Sequence, residues 1–401
     1  MNYRERMLAT IRGEPTDQIP WAPRMDLWII SLRARGKLPK RFIGLNTVEV
    51  SEVLDVACHA VGADFSLPHA RDIRLRALGM DNHPDFPYRI ELRDVPIESS
   101  DDGQDLRTLI HTVAGDVFTH LHRDAEMARR GISLPFVRSF AIESIDDFEP
   151  VAQIFEHLEV IPTPEGYAAF RKRVGERGLA VARGPVGASP IHLILHELAS
   201  PEQFFYLYHD QPEALHELAQ RMEPLFEAWL DALIGCEAEV VFWGANYDQD
   251  LTWPPFFQKE IAPWLQKVSD RLHTAGKLLL THTDGENLGL LPYYSSCRFD
   301  VGESVCPAPM TQCTLAEIRA GMGPNTTVWG GIPSVALLED SMDDATFERY
   351  LDQVFAELGS GDHLIFGVSD NVPPDASLDR LERIKDRIEA FGPVEPRGPK
   401  V

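Results

Sequence analysis

Basic charge is scarce in this chain: 38 Lys and Arg stand against 62 Asp and Glu, a formal net charge of −24. Nucleic acid is gripped by clustered Lys and Arg that displace counterions from phosphates, and the densest basic stretch, residues 33–41, holds only five. The sequence therefore excludes a nucleic-acid binder. Cysteine is also rare. Cys58, Cys236, Cys297, Cys306 and Cys313 are odd in number and scattered, which excludes a disulfide framework and does not match zinc-ribbon spacing. No apolar run approaches the roughly 18 residues of a membrane span. Residues 1–12 (MNYRERMLATIR) carry charge where an export signal needs an apolar stretch, so a cytoplasmic protein is expected. Finally, no glycine-rich phosphate loop follows the first apolar run, which argues against a dinucleotide-binding sheet.

What the chain does contain is a regular alternation. With 44% hydrophobic residues over 401 positions it can bury a large core. Short β-branched or apolar runs over residues 19–24, 63–67, 179–184, 239–243, 277–281, 299–304, 326–330 and 363–368 read as eight strands. Helical patterns lie between them, over 201–209, 212–233, 255–275, 314–322 and 344–358, with Ser200-Pro201 and Asp343-Asp344 as start signals. Eight strand and helix repeats predict an α/β fold of the (β/α)8 TIM-barrel type. Residues 88–124 break the rhythm with period-two alternation around Ser99-Ser100-Asp101-Asp102-Gly103, predicting a β-meander inserted after strand two. The expected organisation is one barrel domain over residues 1–391 and a loose Pro-rich tail over 392–401.

In such a barrel the chemistry sits at the carboxyl ends of the strands. Those ends supply Arg24 and Asp26, Asp64, His192 beyond strand three, Asn246-Tyr247-Asp248, His282 and Asp284, Glu303, and Asp370. The pair His282 and Asp284, two residues apart directly after a strand, suits either a metal or an acid/base pair. With Glu303 and Asp370 it would make a nitrogen-and-oxygen site for zinc or another divalent ion. Arg24 suits capture of a substrate carboxylate, oriented by Asp26. Trp28, Trp243 and Tyr247 are candidates for an aromatic pocket wall, whereas Trp329 reads as core.

Several stretches carry a family resemblance. They are Arg4-Glu5-Arg6-Met7-Leu8 with Asp17-Gln18-Ile19-Pro20, then Leu272-His273-Thr274-Ala275-Gly276-Lys277 followed by Thr281-His282-Thr283-Asp284-Gly285. Val328-Trp329-Gly330-Gly331-Ile332-Pro333 and residues 366–375 (FGVSDNVPPD) complete the set. Together they resemble the uroporphyrinogen decarboxylase superfamily, which implies a (β/α)8 barrel and a homodimer. Of the decarboxylase branch's arginine loop only Arg24 is present; Asp64 matches the Asp after strand two, His192 falls near that branch's Tyr, and Asp370 replaces its His. In the corrinoid-linked methyltransferase branch a His-x-Cys pair and a later Cys bind zinc; here His282 matches the His, Asp284 stands at the first Cys and Asp370 near the second. The resemblance implies a metal-assisted methyltransferase demethylating a small methoxylated or methylated compound to the corrinoid of a partner protein. The alternative it implies is a decarboxylase without a cofactor, using Arg24 to hold a carboxylate and Asp64 or Asp284 to place a proton. A non-catalytic binding barrel is the third expectation.

Overall fold

A computed structural model describes residues 1–64, 66, 73–132 and 134–396. Its first six strands are antiparallel: β1 (Tyr88–Leu92), β2 (Ile97–Asp101), β3 (Asp105–Thr112), β4 (Gly115–His122), β5 (Phe136–Ser139) and β6 (Leu158–Pro162). Strands β2 to β5 form one sheet in chain order, turned by Asp101 and Asp102, whose carboxylates accept the backbone N–H of Gly103 (2.8 Å) and Gln104 (3.0 Å). The alternation read in residues 88–124 is visible as Leu106, Thr108 and Ile110 of β3 facing inward with Val117, Thr119 and Leu121 of β4. Two boundaries differ from the expectation. The sheet continues to Ser139, and β1 leaves it to pair with β6, Ile90 opposite Val160. Alternation tells which side chains face the core, not which strand lies alongside.

The remaining strands are parallel and form a six-stranded sheet in the order β12-β11-β10-β9-β8-β7: β7 (Ala182–Arg183), β8 (Val240–Phe242), β9 (Leu278–His282), β10 (Val301–Val305), β11 (Thr327–Ile332) and β12 (Leu364–Val368). All residues of β8, β10, β11 and β12 are buried, as a parallel sheet covered on both faces requires. Two further segments bond to its edges. Ala22 N–H donates to Phe366 O and Phe366 N–H to Pro20 O, both at 2.8 Å, beside β12. At the other edge Val181 N–H donates to Ala60 O (2.9 Å) and Gly62 N–H to Val181 O (3.2 Å). Ala57 N–H reaches Trp21 O at 2.8 Å, linking the two segments. The chain beside β7 is thus residues 57–62, ahead of the run read as strand two over 63–67, of which residues 65 and 67 lie outside the described part. The small side chains of Ala57, Cys58 and Ala60 gave no β-branched signal there.

Helices enclose the sheet. Pro201–Asp210 is capped by Ser200, which accepts from Gln203 N–H, and Asp344–Glu357 by Asp343, which accepts from Thr346 N–H at 2.7 Å. The helix read over 255–275 is instead Pro254–Phe256, a π-helical turn Phe257–Ile261 and Ala262–Thr274. Inside the sheet Leu179, Val181, Phe242, Leu280, Val301, Trp329 and Ile365 pack on Met7, Leu8 and Ile11 of the first helix, Tyr3–Arg12. Trp329 is therefore core. Of the tail expected over 392–401, the described residues end at 396, and Val394 among them exchanges two backbone hydrogen bonds with Thr16. Among the described residues no helix is long and apolar enough to cross a membrane.

Candidate functional site

A cavity of about 1170 Å³ opens at the carboxyl ends of the parallel strands. Its apolar wall includes Phe86, Tyr88, Trp229 and Phe242; the segment between β4 and β5 contributes Arg123, Met127 and Ile132. Of the described residues, five arginines (Arg24, Arg33, Arg76, Arg123 and Arg183) and seven carboxylates line it. Several arginines are already matched to those carboxylates, so the cavity suits a substrate with one anionic group or none better than a polyanion.

At one end lies a chain of ionisable groups. His282 ends β9, and its Nδ1 meets Glu303 Oε2 at 2.5 Å; the other oxygen of Glu303 meets His59 Nε2 at 2.8 Å. The backbone aims Glu303 there: the register of β10 against β11 shifts after it, and Ser304 is left-handed at φ +64°. Burial alone would lower the His282 pKa, but Glu303, reinforced by Asp284 and Asp370, outweighs it and raises the pKa to about 9. The carboxyl of Glu303, which burial would push up, is held well below its usual range by the two imidazoles. His282 is thus an imidazolium at neutral pH, with Nε2 3.8 Å from both Asp284 Oδ2 and Asp370 Oδ1. Asp284 is itself pushed upward by burial, partly offset by His282.

Arg24 closes the other side. Its guanidinium reaches Asp370 Oδ1 at 2.7 Å and Asp26 Oδ2 at 3.3 Å. Asp370 is held down by Arg24 and His282 against the effect of burial, whereas burial raises Asp26. Arg183, whose guanidinium lies 4.5 Å from the centre of the Phe242 ring, is lowered to about 10 by burial and then by the like charge of Arg24.

Six expected residues thus meet at one cavity: Arg24, Asn246, His282, Asp284, Glu303 and Asp370. The others are placed elsewhere. Asp64 is buried and accepts from Thr47 and Ser66, tying Ser66 to the first turn of the helix Thr47–Leu54. Tyr247 is fully buried with its hydroxyl on Thr281 Oγ1 at 2.8 Å, and Trp243 donates to Ala188 O from the core. Trp28 packs edge-on against Phe42, and His192 is buried with Nδ1 accepting Ala188 N–H, so neither forms the cavity wall. Asp248 ties its loop, accepting from the backbone of Asp250 and Glu286 at 2.8 Å each. Asp26 touches the site through Arg24. The sequence reading missed His59, Arg183, Glu197 and Arg76, and it set aside His196, four residues after His192, as half of a half-buried pair. Arg183 carried a usable signal, since it is a charged residue at a strand end just as Arg24 is.

Among the described residues no group of three or more His, Cys, Asp or Glu side chains is arranged to hold a metal ion. The expected ligands show why. Glu303 sits on the Nδ1 side of His282, away from Asp284 and Asp370 on the Nε2 side, and Arg24 engages Asp370. In this arrangement the donor set does not fit zinc, and Glu303 is a partner of imidazoles rather than a ligand.

The family model described as uroporphyrinogen decarboxylase (URO-D) matches residues 169–391. No curated protein matches the chain. A solved methyltransferase from Methanosarcina mazei aligns over 98% of this chain and 99% of its own, with 15% identity and a TM-score of 0.56, which is a likeness of fold.

Proposed function

This chain belongs to the uroporphyrinogen decarboxylase family, and from that premise we propose that it is a methyltransferase that demethylates a small methoxylated or methylated compound. The observation that carries this reading is the geometry of His282, whose Nδ1 meets Glu303 Oε2 at 2.5 Å, a contact that favours the imidazolium, and which lines a cavity with aromatic walls. When a methyl group leaves an oxygen, the C–O bond breaks with its electron pair on oxygen, and that oxygen needs a proton. Nε2–H of His282 supplies it, and the resulting neutral imidazole takes a new proton from solvent. Glu303, shared with His59, keeps the ring oriented and charged; Asp284 and Asp370 frame the Nε2 edge. The acceptor would be the corrinoid of a partner protein, which would supply a nucleophilic reduced metal for the methyl carbon. The likeness to a methyltransferase over nearly the whole chain supports this choice.

The same reading takes the two edge segments as closing the parallel sheet into a (β/α)8 barrel. It is a single domain over residues 1–391 with residues 88–124 as part of an insertion, in a cytoplasmic homodimer. The test is incubation of the full chain with methoxylated arenes and chemically reduced cobalamin, following methylcobalamin and the free hydroxyl product. Formation of both that collapses in His282→Gln supports the proposal; no methylcobalamin from any methoxylated compound overturns it.

Arg24 and Arg183 favour a second reading, decarboxylation, in which a guanidinium holds the substrate carboxylate and His282 protonates the carbanion left by carbon dioxide. Carbon dioxide release from an aromatic acid that collapses in Arg24→Ala would decide for it.

A further inference from the structure

A second chain of polar groups, Glu197 buried and the others half-buried, lines the same cavity, and methyl transfer does not use it. Arg76 pairs with one carboxylate oxygen of Glu197, and the other oxygen meets Nδ1 of His196 at 2.9 Å. His196 Nε2 in turn meets the side-chain amide nitrogen of Asn246 at 2.7 Å. His196 and Glu197 stand on a π-helical turn, Ile194–Leu198, an irregularity frequent at functional sites. Asn246 follows β8 in the left-handed region at φ +59°, which asparagine tolerates, and its N–H donates to the carbonyl of His282 at 3.0 Å.

The order of charges fixes the order of donors. Arg76 keeps Glu197 anionic, and a carboxylate beside Nδ1 requires Nδ1–H. With Nδ1 as the donor, Nε2 presents its lone pair to the Asn246 side-chain nitrogen 2.7 Å away and accepts the amide N–H. That contact turns the amide, leaving Oδ1 without a partner among the described residues, while the backbone bond to His282 sets Asn246 beside that residue on the cavity wall. A fixed acceptor favours a ligand group that can donate to it, and penalises one that cannot.

We propose that Asn246 is a specificity residue selecting compounds with a hydroxyl or N–H donor next to the reacting group, and that His196, Glu197 and Arg76 are the positioning residues that hold its amide. This rests on the cavity being the substrate site, but it is read from binding alone, so a failure of methyl transfer leaves it standing.

Phenol and toluene differ by a donor hydroxyl against a methyl of similar size. Their dissociation constants for the full chain at pH 8, measured by ligand-observed NMR, give an affinity ratio. That ratio falls at least tenfold from wild type to Asn246→Gly, and falls likewise in Glu197→Gln, where Asn246 itself is intact; thermal melting checks that both variants fold. An unchanged ratio in folded Asn246→Gly overturns the selectivity, and one in folded Glu197→Gln overturns the positioning chain. The 15N shifts of His196 in the wild type provide a test needing no variant: Nδ1–H with an unprotonated Nε2 is expected, and the opposite tautomer overturns the assignment.

Discussion

Glu303 and His282 form a buried ion pair across neighbouring parallel strands, Oε2 to Nδ1 at 2.5 Å. Because His59 binds the other oxygen, the carboxylate has nowhere else to turn. The charge of the imidazole therefore depends on one residue more than on any other. In Glu303→Gln, burial remains while the main stabilising charge is gone, so the His282 pKa falls from about 9 to near or below the usual histidine value. Titration of the imidazole 15N signals from pH 5 to 10 reads this directly. A His282 still titrating near 9 in the variant would assign its charge to Asp284 and Asp370 instead. Under the methyl-transfer reading the same substitution costs on the order of a hundredfold in turnover at pH 8.

The ion pair also makes stability depend on alkali. His282 has a higher pKa in the folded chain, about 9, than the roughly 6.5 of an unfolded histidine. Its contribution is complete below the unfolded value and is lost as pH rises through the folded one. Urea unfolding should show the wild type losing about 3 kcal/mol more than His282→Gln between pH 6.5 and 9.5. Parallel pH profiles for the two proteins would rule the linkage out.

The strands that read correctly, such as β9 and β12, are apolar runs bounded by breakers, which is a local property. The chain beside β7 escaped because Ala57, Cys58 and Ala60 lack β-branching and because its pairing is set by distant residues. With that segment misplaced, His59 fell ahead of the supposed strand and out of view. His282, Asp284, Glu303 and Asp370 were legible as strand ends, but which face of the imidazole each would meet was not, since that depends on the bulge after Glu303. His192 and His196 show the same limit: four residues apart, one is walled into the core and the other reaches the cavity.

Tyr247 provides a contrast within the same loop as Asn246. Its ring is fully buried and its hydroxyl is spent on Thr281, with burial pushing its pKa well up, so it neither exchanges protons nor meets a ligand. Tyr247→Phe leaves Thr281 a remaining acceptor in Gly244 O at 3.2 Å. The expected result is about 1 kcal/mol lost in urea unfolding and turnover within about twofold of wild type. Loss of turnover with unchanged stability would return Tyr247 to the site.

Arg24 competes with any metal for Asp370 at this end of the cavity. Its guanidinium occupies Asp370 Oδ1 at 2.7 Å, and the raised pKa of His282 means that a proton holds the nitrogen a metal would need. The wild-type chain, purified and dialysed, should therefore contain far less than one equivalent of zinc, and chelation should leave its melting temperature unchanged. In Arg24→Ala one of these two obstacles is gone: Asp370 is released to face Asp284 across the His282 Nε2 edge, and zinc, which then has only the His282 proton to displace, should bind at pH 8 and raise the melting temperature. Near-stoichiometric zinc in the wild type, lost in His282→Ala, would mean that Arg24 gives up Asp370 to a metal when one is offered. The proton donor would then have to be sought elsewhere than His282.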